Sequence, residues 1–285
     1  MEPCAGGARF LRGPVVAIFT QEQVRAPHAA PERERMPSRN LISKLRGYFS
    51  VSDELKHDLH ELTREHIRLE AGDTLIRAGD KYSGMYLIDD GWVLRARYLP
   101  DGSRQIVNFA LPGDFLNYNS LMFEKSEFDL VARTAVSLSK LESKSFRTMM
   151  ARYPGLAEAL MWSNAHEEAL LAERVVSLGR RDATERLAHV LCEIVARLEL
   201  IQRHDGEVLQ LPLLQEDFAD ILGLSVIHIV RVFNRLEMMG AVRYRSRRVQ
   251  LTDLQKLKAI AGFDGEYIYF SKRSDVVPMS RAERG

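Results

Sequence analysis

Between Ser225 and Arg248 the chain carries six arginines against one glutamate, a local balance of +5 in a chain whose formal net charge is +1. Arginine donates hydrogen bonds in a planar fork that matches a phosphate or the O6/N7 edge of guanine, so this cluster is suited to hold a nucleic acid. The surrounding residues give it a scaffold. Gln215 to Leu222 has helical periodicity, Gly223-Leu224-Ser225 reads as a tight turn, and Val226 to Met239 reads as a second helix. Ala219 is small where two helices would cross, Gly223 relieves the backbone at the turn, and Ser225 is a good N-cap. In the second helix Ile229, Val232, Phe233 and Leu236 share one face and should be buried. Val226, Ile227, His228, Val230, Arg231, Asn234 and Arg235 are left facing outward.

Helix, turn and helix are followed past Gly240 by Ala241 to Leu251, a short two-stranded wing dense in arginine. A helix presented in this way reaches base edges in a major groove. Arg231 is the expected base reader, since its guanidinium can make two parallel bonds to guanine. His228 is placed to touch a base or a phosphate, and Val226, Ile227 and Val230 to meet thymine methyls. Phosphate contacts, which fix register without reading sequence, are expected from Ser225, Gln215, Asn234, Arg235, Arg243, Arg245, Arg247 and Arg248. The competing reading is a solvated arginine face on an ordinary helical domain.

The elements that must position this segment form an α+β chain. From His66 to Leu116 short apolar or alternating runs, among them Thr74 to Ile76, Met85 to Ile88, Trp92 to Tyr98 and Gln105 to Ala110, are punctuated by glycines. These runs predict an antiparallel β-roll, closed by a further strand run from Leu130 to Leu141. Asp101-Gly102 is the clearest hairpin signal and predicts a tight type I′ turn. After Pro154 a helical pattern runs for about 25 residues, with Leu160, Asn164, Leu171, Val175 and Leu178 at intervals of three, four or seven. A helix of that length between two domains needs a partner for its apolar stripe, and a parallel homodimer supplies one. Packing on its own β-roll alone is the other possibility. The predicted divisions are a disordered extension over 1–40, a β-roll over 41–153, the dimer helix over 154–180, a winged helix-turn-helix over 181–261 and a tail over 262–285. Met36, after a Pro-, Arg- and Glu-rich stretch, is an alternative start.

Composition narrows the function further. With 285 residues, 46% of them hydrophobic, the chain can build two cores. Only Cys4 and Cys192 are present, which excludes a disulfide framework and a four-cysteine cluster within one chain. Cys192, inside an amphipathic run from Arg181 to Leu200, reads as a buried structural thiol. His57, His60 and Glu61 share a helical face that could hold a metal, although a polar solvent face explains them as well. No apolar run approaches the roughly 20 residues needed to cross a bilayer, and a cytoplasmic location is expected. No phosphate loop, nucleophile elbow or paired catalytic carboxylates argue for an enzyme. A ligand-binding regulatory subunit would account for the β-roll but leave the arginine wing without a purpose.

From Leu41 to about Ala261 the chain resembles the CRP/FNR family of bacterial regulators. The resemblance rests on Gly72-Asp73-Thr74-Leu75-Ile76-Arg77-Ala78-Gly79-Asp80, on Met85-Tyr86-Leu87-Ile88, on Leu111-Pro112-Gly113-Asp114-Phe115 and on the Gln215 to Phe233 helix-turn-helix. It implies a cyclic-nucleotide-binding-like β-roll, a long dimer helix, a winged helix on a near-palindromic operator in double-stranded DNA, and RNA polymerase as a partner. Two recognition helices would enter successive major grooves about 10 bp apart. Cyclic-nucleotide binders of the family carry a Gly-Glu pair and then Arg-Ser or Arg-Thr. The corresponding stretch here, Phe115 to Asp129, has neither, and Glu124, Glu127 and Asp129 would repel a phosphate. Cys4 alone cannot supply the family's iron-sulfur cluster, whereas haem stays open because one axial histidine would suffice. No cofactor is identifiable from the sequence.

Overall fold

The computed structural model describes residue 42 and residues 51–201, 208–245 and 248–269. The expectations for residues 1–40, for a start at Met36 and for Arg247 lie outside these residues, as does most of the 262–285 tail.

Helix α1 (Asp53–Leu62) opens the described fold, capped by Ser52, whose hydroxyl accepts from the Leu55 amide at 3.2 Å. Eight strands follow: β1 (Glu65–Leu69), β2 (Thr74–Ile76), β3 (Met85–Asp90), β4 (Val93–Tyr98), β5 (Arg104–Ala110), β6 (Phe115–Leu116), β7 (Asp129–Ala132) and β8 (Val136–Leu141). They form two antiparallel four-stranded sheets, in the orders β1-β8-β3-β6 and β2-β7-β4-β5. Tyr86, Ile88 and Leu138 share one core with Ile76, Leu130 and Ala132 of the other sheet. Met85 and Leu87 instead pack with Leu55, Leu59 and Phe146 on the helices. Strand β3 is therefore covered on both faces, which is why it reads as a continuous apolar run.

Two details differ from the sequence reading. The run from Leu130 to Leu141 is two strands, not one, because β7 pairs with β2 and β4 while β8 pairs with β1 and β3, so the chain changes sheets at 133–135. The Asp101-Gly102 hairpin is not type I′. Its loop spans 99–103, the Gly102 amide donates to the Leu99 carbonyl at 2.9 Å, and only Gly102 has positive φ, at 82°. Pro100 sits at the first central position of that turn, where its ring fixes φ near −65° and excludes the positive value that a type I′ turn requires.

Helix α2 (Ser143–Arg152), which the sequence pattern does not predict, presents Phe146 and Met149 to the core under α1. Helix α3 (Pro154–Arg180) starts with its proline in the first turn, where no amide partner is lost. Helix α4 (Ala183–Leu200) begins with a capping box in which the Asp182 carboxylate accepts from the Thr184 and Glu185 amides. It is buried almost throughout and forms the centre of the C-terminal core. Around it lie β9 (Val208–Gln210), α5 (Gln215–Leu222), α6 (Val226–Met238), β10 (Val242–Arg245), β11 (Arg248–Leu251), α7 (Leu254–Ala261) and α8 (Glu266–Tyr269). The wing gains a third strand, since the sheet order is β10-β11-β9. Phe263 and Ile268, in the stretch assigned to a tail, are buried in the same core. The rings of Phe263 and Tyr267 pack on His189, which burial and the cations Arg181 and Arg174 push down to about 3, leaving it neutral.

Candidate nucleic-acid interface

Gly223 closes α5 in the left-handed conformation with φ of 64°, a position that penalises a side chain through the backbone alone. The chain turns there, and the Ser225 hydroxyl accepts from the His228 amide at 3.3 Å to cap α6. Ala219 is buried at the crossing. Phe218 meets Phe233 edge to face with centroids 5.4 Å apart, and Phe233 stacks on Tyr244 of the wing at 4.2 Å. Scaffold helix, recognition helix and wing are thus joined by one aromatic column.

Ile229, Val232, Phe233 and Leu236 are buried, as their spacing requires. The other face is open: Ile227 is 68% exposed, and Val226, His228, Val230, Arg231 and Asn234 are exposed beside it. Arg231 projects from the middle of this face. Arg235 is exposed but reaches back to donate to Thr184 Oγ1 at 3.3 Å. Gln215 is half-buried at the start of α5, and Arg248 is exposed at the start of β11. Arg243 and Arg245 flank Glu237: Arg245 bonds to Oε2 at 2.7 Å, and Arg243 lies 4.0 Å from Oε1.

Along α3, Val175 is 69% exposed and Asn164 is exposed, while Leu171 and Leu178 are half-buried. Leu160 turns inward and packs with the core of Leu55 and Phe146, so its neighbour Met161, 74% exposed, stands on the open stripe with Val175 and Val176. One residue is about 100° around a helix, enough to move a side chain from one face to another.

Between the β-roll and α3 lies a cavity of about 270 Å³ lined by Arg95, Tyr118, Phe128, Trp162, Glu167 and Arg197, among others. Arg95 pairs with Glu167, which also accepts from the Tyr118 hydroxyl at 2.7 Å. Arg197 bonds to Asp114 at 3.2 Å and to the Phe109 carbonyl at 2.9 Å. Both arginines facing the cavity are already paired with carboxylates, Arg95 with Glu167 and Arg197 with Asp114. The residues present do not fit a cyclic phosphate. His166 is the histidine among the lining residues, its ring packed edge to face on Trp162. On α1, Glu61 pairs with Arg64 while His57 is exposed, and among the described residues no group of three or more His, Cys, Asp or Glu is placed to hold a metal ion. Burial pushes the Cys192 thiol up to about 12, against a small opposing pull from Lys258.

Sequence reasoning missed the ion pairs beneath the interface. Asp217 of α5 is 3% exposed and bonds to Arg104 and Arg133 of the β-roll, and Asp220 bonds to Arg104. A second buried network joins Arg174 of α3 to Glu193 and Arg197 of α4. A polar residue at a buried helical position was the available signal, but its partners lie 113 and 84 residues away for Asp217.

Residues 66–153 match a family model described as cyclic nucleotide-binding domain, and residues 185–260 match one described as Crp-like helix-turn-helix domain. The nitrogen fixation regulation protein FixK of Bradyrhizobium diazoefficiens is 31% identical over 68% of this chain and 81% of its own length. The transcriptional activator protein FnrL of Cereibacter sphaeroides is 29% identical over 69% of this chain and 80% of its own. The structure of FixK2 from Bradyrhizobium japonicum superposes with a TM-score of 0.63 at 23% identity, covering 69% of this chain and 96% of that one. With a β-roll, a long connecting helix and a DNA-binding helix-turn-helix in the same order, the chain belongs to the CRP/FNR family of transcription regulators.

Proposed function

We propose that the protein reads a near-palindromic operator as a homodimer, each α6 lying in a major groove and each wing resting on the flanking phosphates. The observation that carries this reading is the division of α6 into a packed face and an exposed face bearing Arg231, His228, Val226, Ile227, Val230 and Asn234. Arg231 reads a guanine, His228 contacts a base or a phosphate, and the three aliphatic residues meet thymine methyls. Ser225, Gln215, Asn234, Arg235, Arg243, Arg245 and Arg248 contact phosphates, together with Arg247 outside the described residues.

The exposed stripe Met161, Asn164, Val175 and Val176 on α3 supports a two-fold seam, with Leu171 and Leu178 at its edge. The β-roll over 41–153 then serves as the sensor unit, residues 154–180 as the dimer helix and 181–261 as the DNA-binding unit. Relatives named as transcriptional activators support RNA polymerase as a partner, and the reading places the protein in the cytoplasm.

The test is selection of genomic fragments by the purified protein beside its Arg231→Ala variant. A two-fold symmetric site, enriched by the first and blurred at one position per half-site by the second, supports the reading. Equal enrichment by both removes Arg231 as the base reader.

A further inference from the structure

We propose that Arg104, Arg133, Asp217 and Asp220 are positioning residues for DNA reading, a clamp by which the β-roll fixes the orientation of the helix-turn-helix. Asp217 and Asp220 lie three residues apart and so face the same way from α5. Arg104, at the first position of β5, spans both: its Nε donates to Asp220 Oδ2 at 2.6 Å and its NH2 to Asp217 Oδ1 at 2.9 Å. Arg133, in the turn where the chain changes sheets, donates through Nε to Asp217 Oδ2 at 2.6 Å. The same oxygen accepts from the Leu214 amide at 2.8 Å, so one buried carboxylate both starts α5 and ties it to two separate segments of the β-roll. Burial opposes the charge on Arg104, but Asp220 and Asp217 outweigh that and hold it protonated more firmly than usual. Next to it, Gln105 Nε2 donates to the Ile221 carbonyl at 3.4 Å.

Four donors from two β-roll segments on one helix restrict rotation as well as translation, which a single pair would not. The restriction passes to α6, because Phe218 and Phe233 lock the two helices together. Arg104 is suited to this task where lysine is not, since a planar fork can bridge two carboxylates at fixed angles. Strand β5 also carries Asn108 and Phe109, which hold Arg197 beside the cavity. One strand therefore bears both the clamp and a wall of the sensor cavity.

The inference rests on α6 being the reading helix, and the experiment separates the two by measuring orientation without DNA. Spin labels are placed at Met122→Cys on the β-roll and Met238→Cys on α6, both highly exposed, in a Cys4→Ser background, with buried Cys192 retained. Labelled chain is diluted with excess unlabelled chain so that distances within one protomer are read. The parent should give one narrow distance distribution. Arg104→Ala and the isosteric Asp220→Asn should each broaden or shift it and weaken operator binding about tenfold. An unchanged distribution in Arg104→Ala and Asp220→Asn, even with a lower melting temperature, overturns the clamp and leaves an ordinary packing contact. Distances that respond while operator binding does not would overturn the link to DNA reading.

Discussion

Phe218 on the scaffold helix meets Phe233 on the recognition helix at an interplanar angle of 82°, both rings inaccessible to solvent. Positive ring edge against negative ring face adds to the apolar area removed from water. Phe233→Ala is expected to destabilise the C-terminal domain by about 3–5 kcal/mol, because the transfer loss is joined by a cavity beside Tyr244. Denaturant unfolding followed by circular dichroism checks this; a loss below about 1 kcal/mol would show that the column is dispensable.

Asp89 sits at the irregular pairing of β3 with β8. Burial pushes its carboxyl up to about 7, partly offset by the Ser139 hydroxyl donating at 2.8 Å, while Asp90 adds repulsion. A carboxyl whose folded value exceeds its unfolded one binds its proton more tightly in the native state, so it contributes stability at low pH that is lost as pH rises towards about 7. Asp89→Asn should therefore flatten the decline of the denaturation midpoint between about pH 4 and pH 7. Parallel midpoint profiles for parent and variant would rule the assignment out.

The Cys192 thiol, buried and held protonated up to about 12, should not react with a disulfide reagent at pH 8 in the native protein. In a Cys4→Ser background, modification followed by mass spectrometry should be complete only after denaturation. Rapid labelling of the native chain would contradict the burial.

Val175 is open in the single protomer, at the position where a parallel two-fold seam would bring two copies together. Val175→Glu places an unpaired charge there twice over, and a cost above about 1.4 kcal/mol weakens self-association more than tenfold. Sedimentation across a concentration series reads the shift. Unaltered association would move the seam away from this face.

Local rules account for what the sequence revealed. Helix α5 has the bounds its periodicity indicates, and α6 ends one residue short, because glycine, serine and the apolar spacing all act within a few residues. The β-roll was legible from strand runs, yet the sheet change at 133–135 was not, since apolar alternation says nothing about which strand is the partner. Helix α2 escaped notice because Ser143–Arg152 offers just two buried side chains amid Ser, Lys, Arg and Thr. Leu160 and Met161 could not be told apart because α3 is apolar on two sides, one for its own core and one left open. The arginine cluster was visible as charge, but the contacts of Asp217 depend on pairings across the whole fold.

Glu237 alters how the wing's charge should be counted. Arg245 is already paired with this internal carboxylate and Arg243 lies at its edge, so a phosphate that takes Arg245 competes with an anion belonging to the protein. Such an exchange frees no solution ion from the arginine itself, and the dependence of affinity on the logarithm of salt concentration should be shallower than the number of wing arginines implies. Removing that single carboxylate would steepen the dependence, turning an internally compensated surface into one that holds nucleic acid with less regard for sequence.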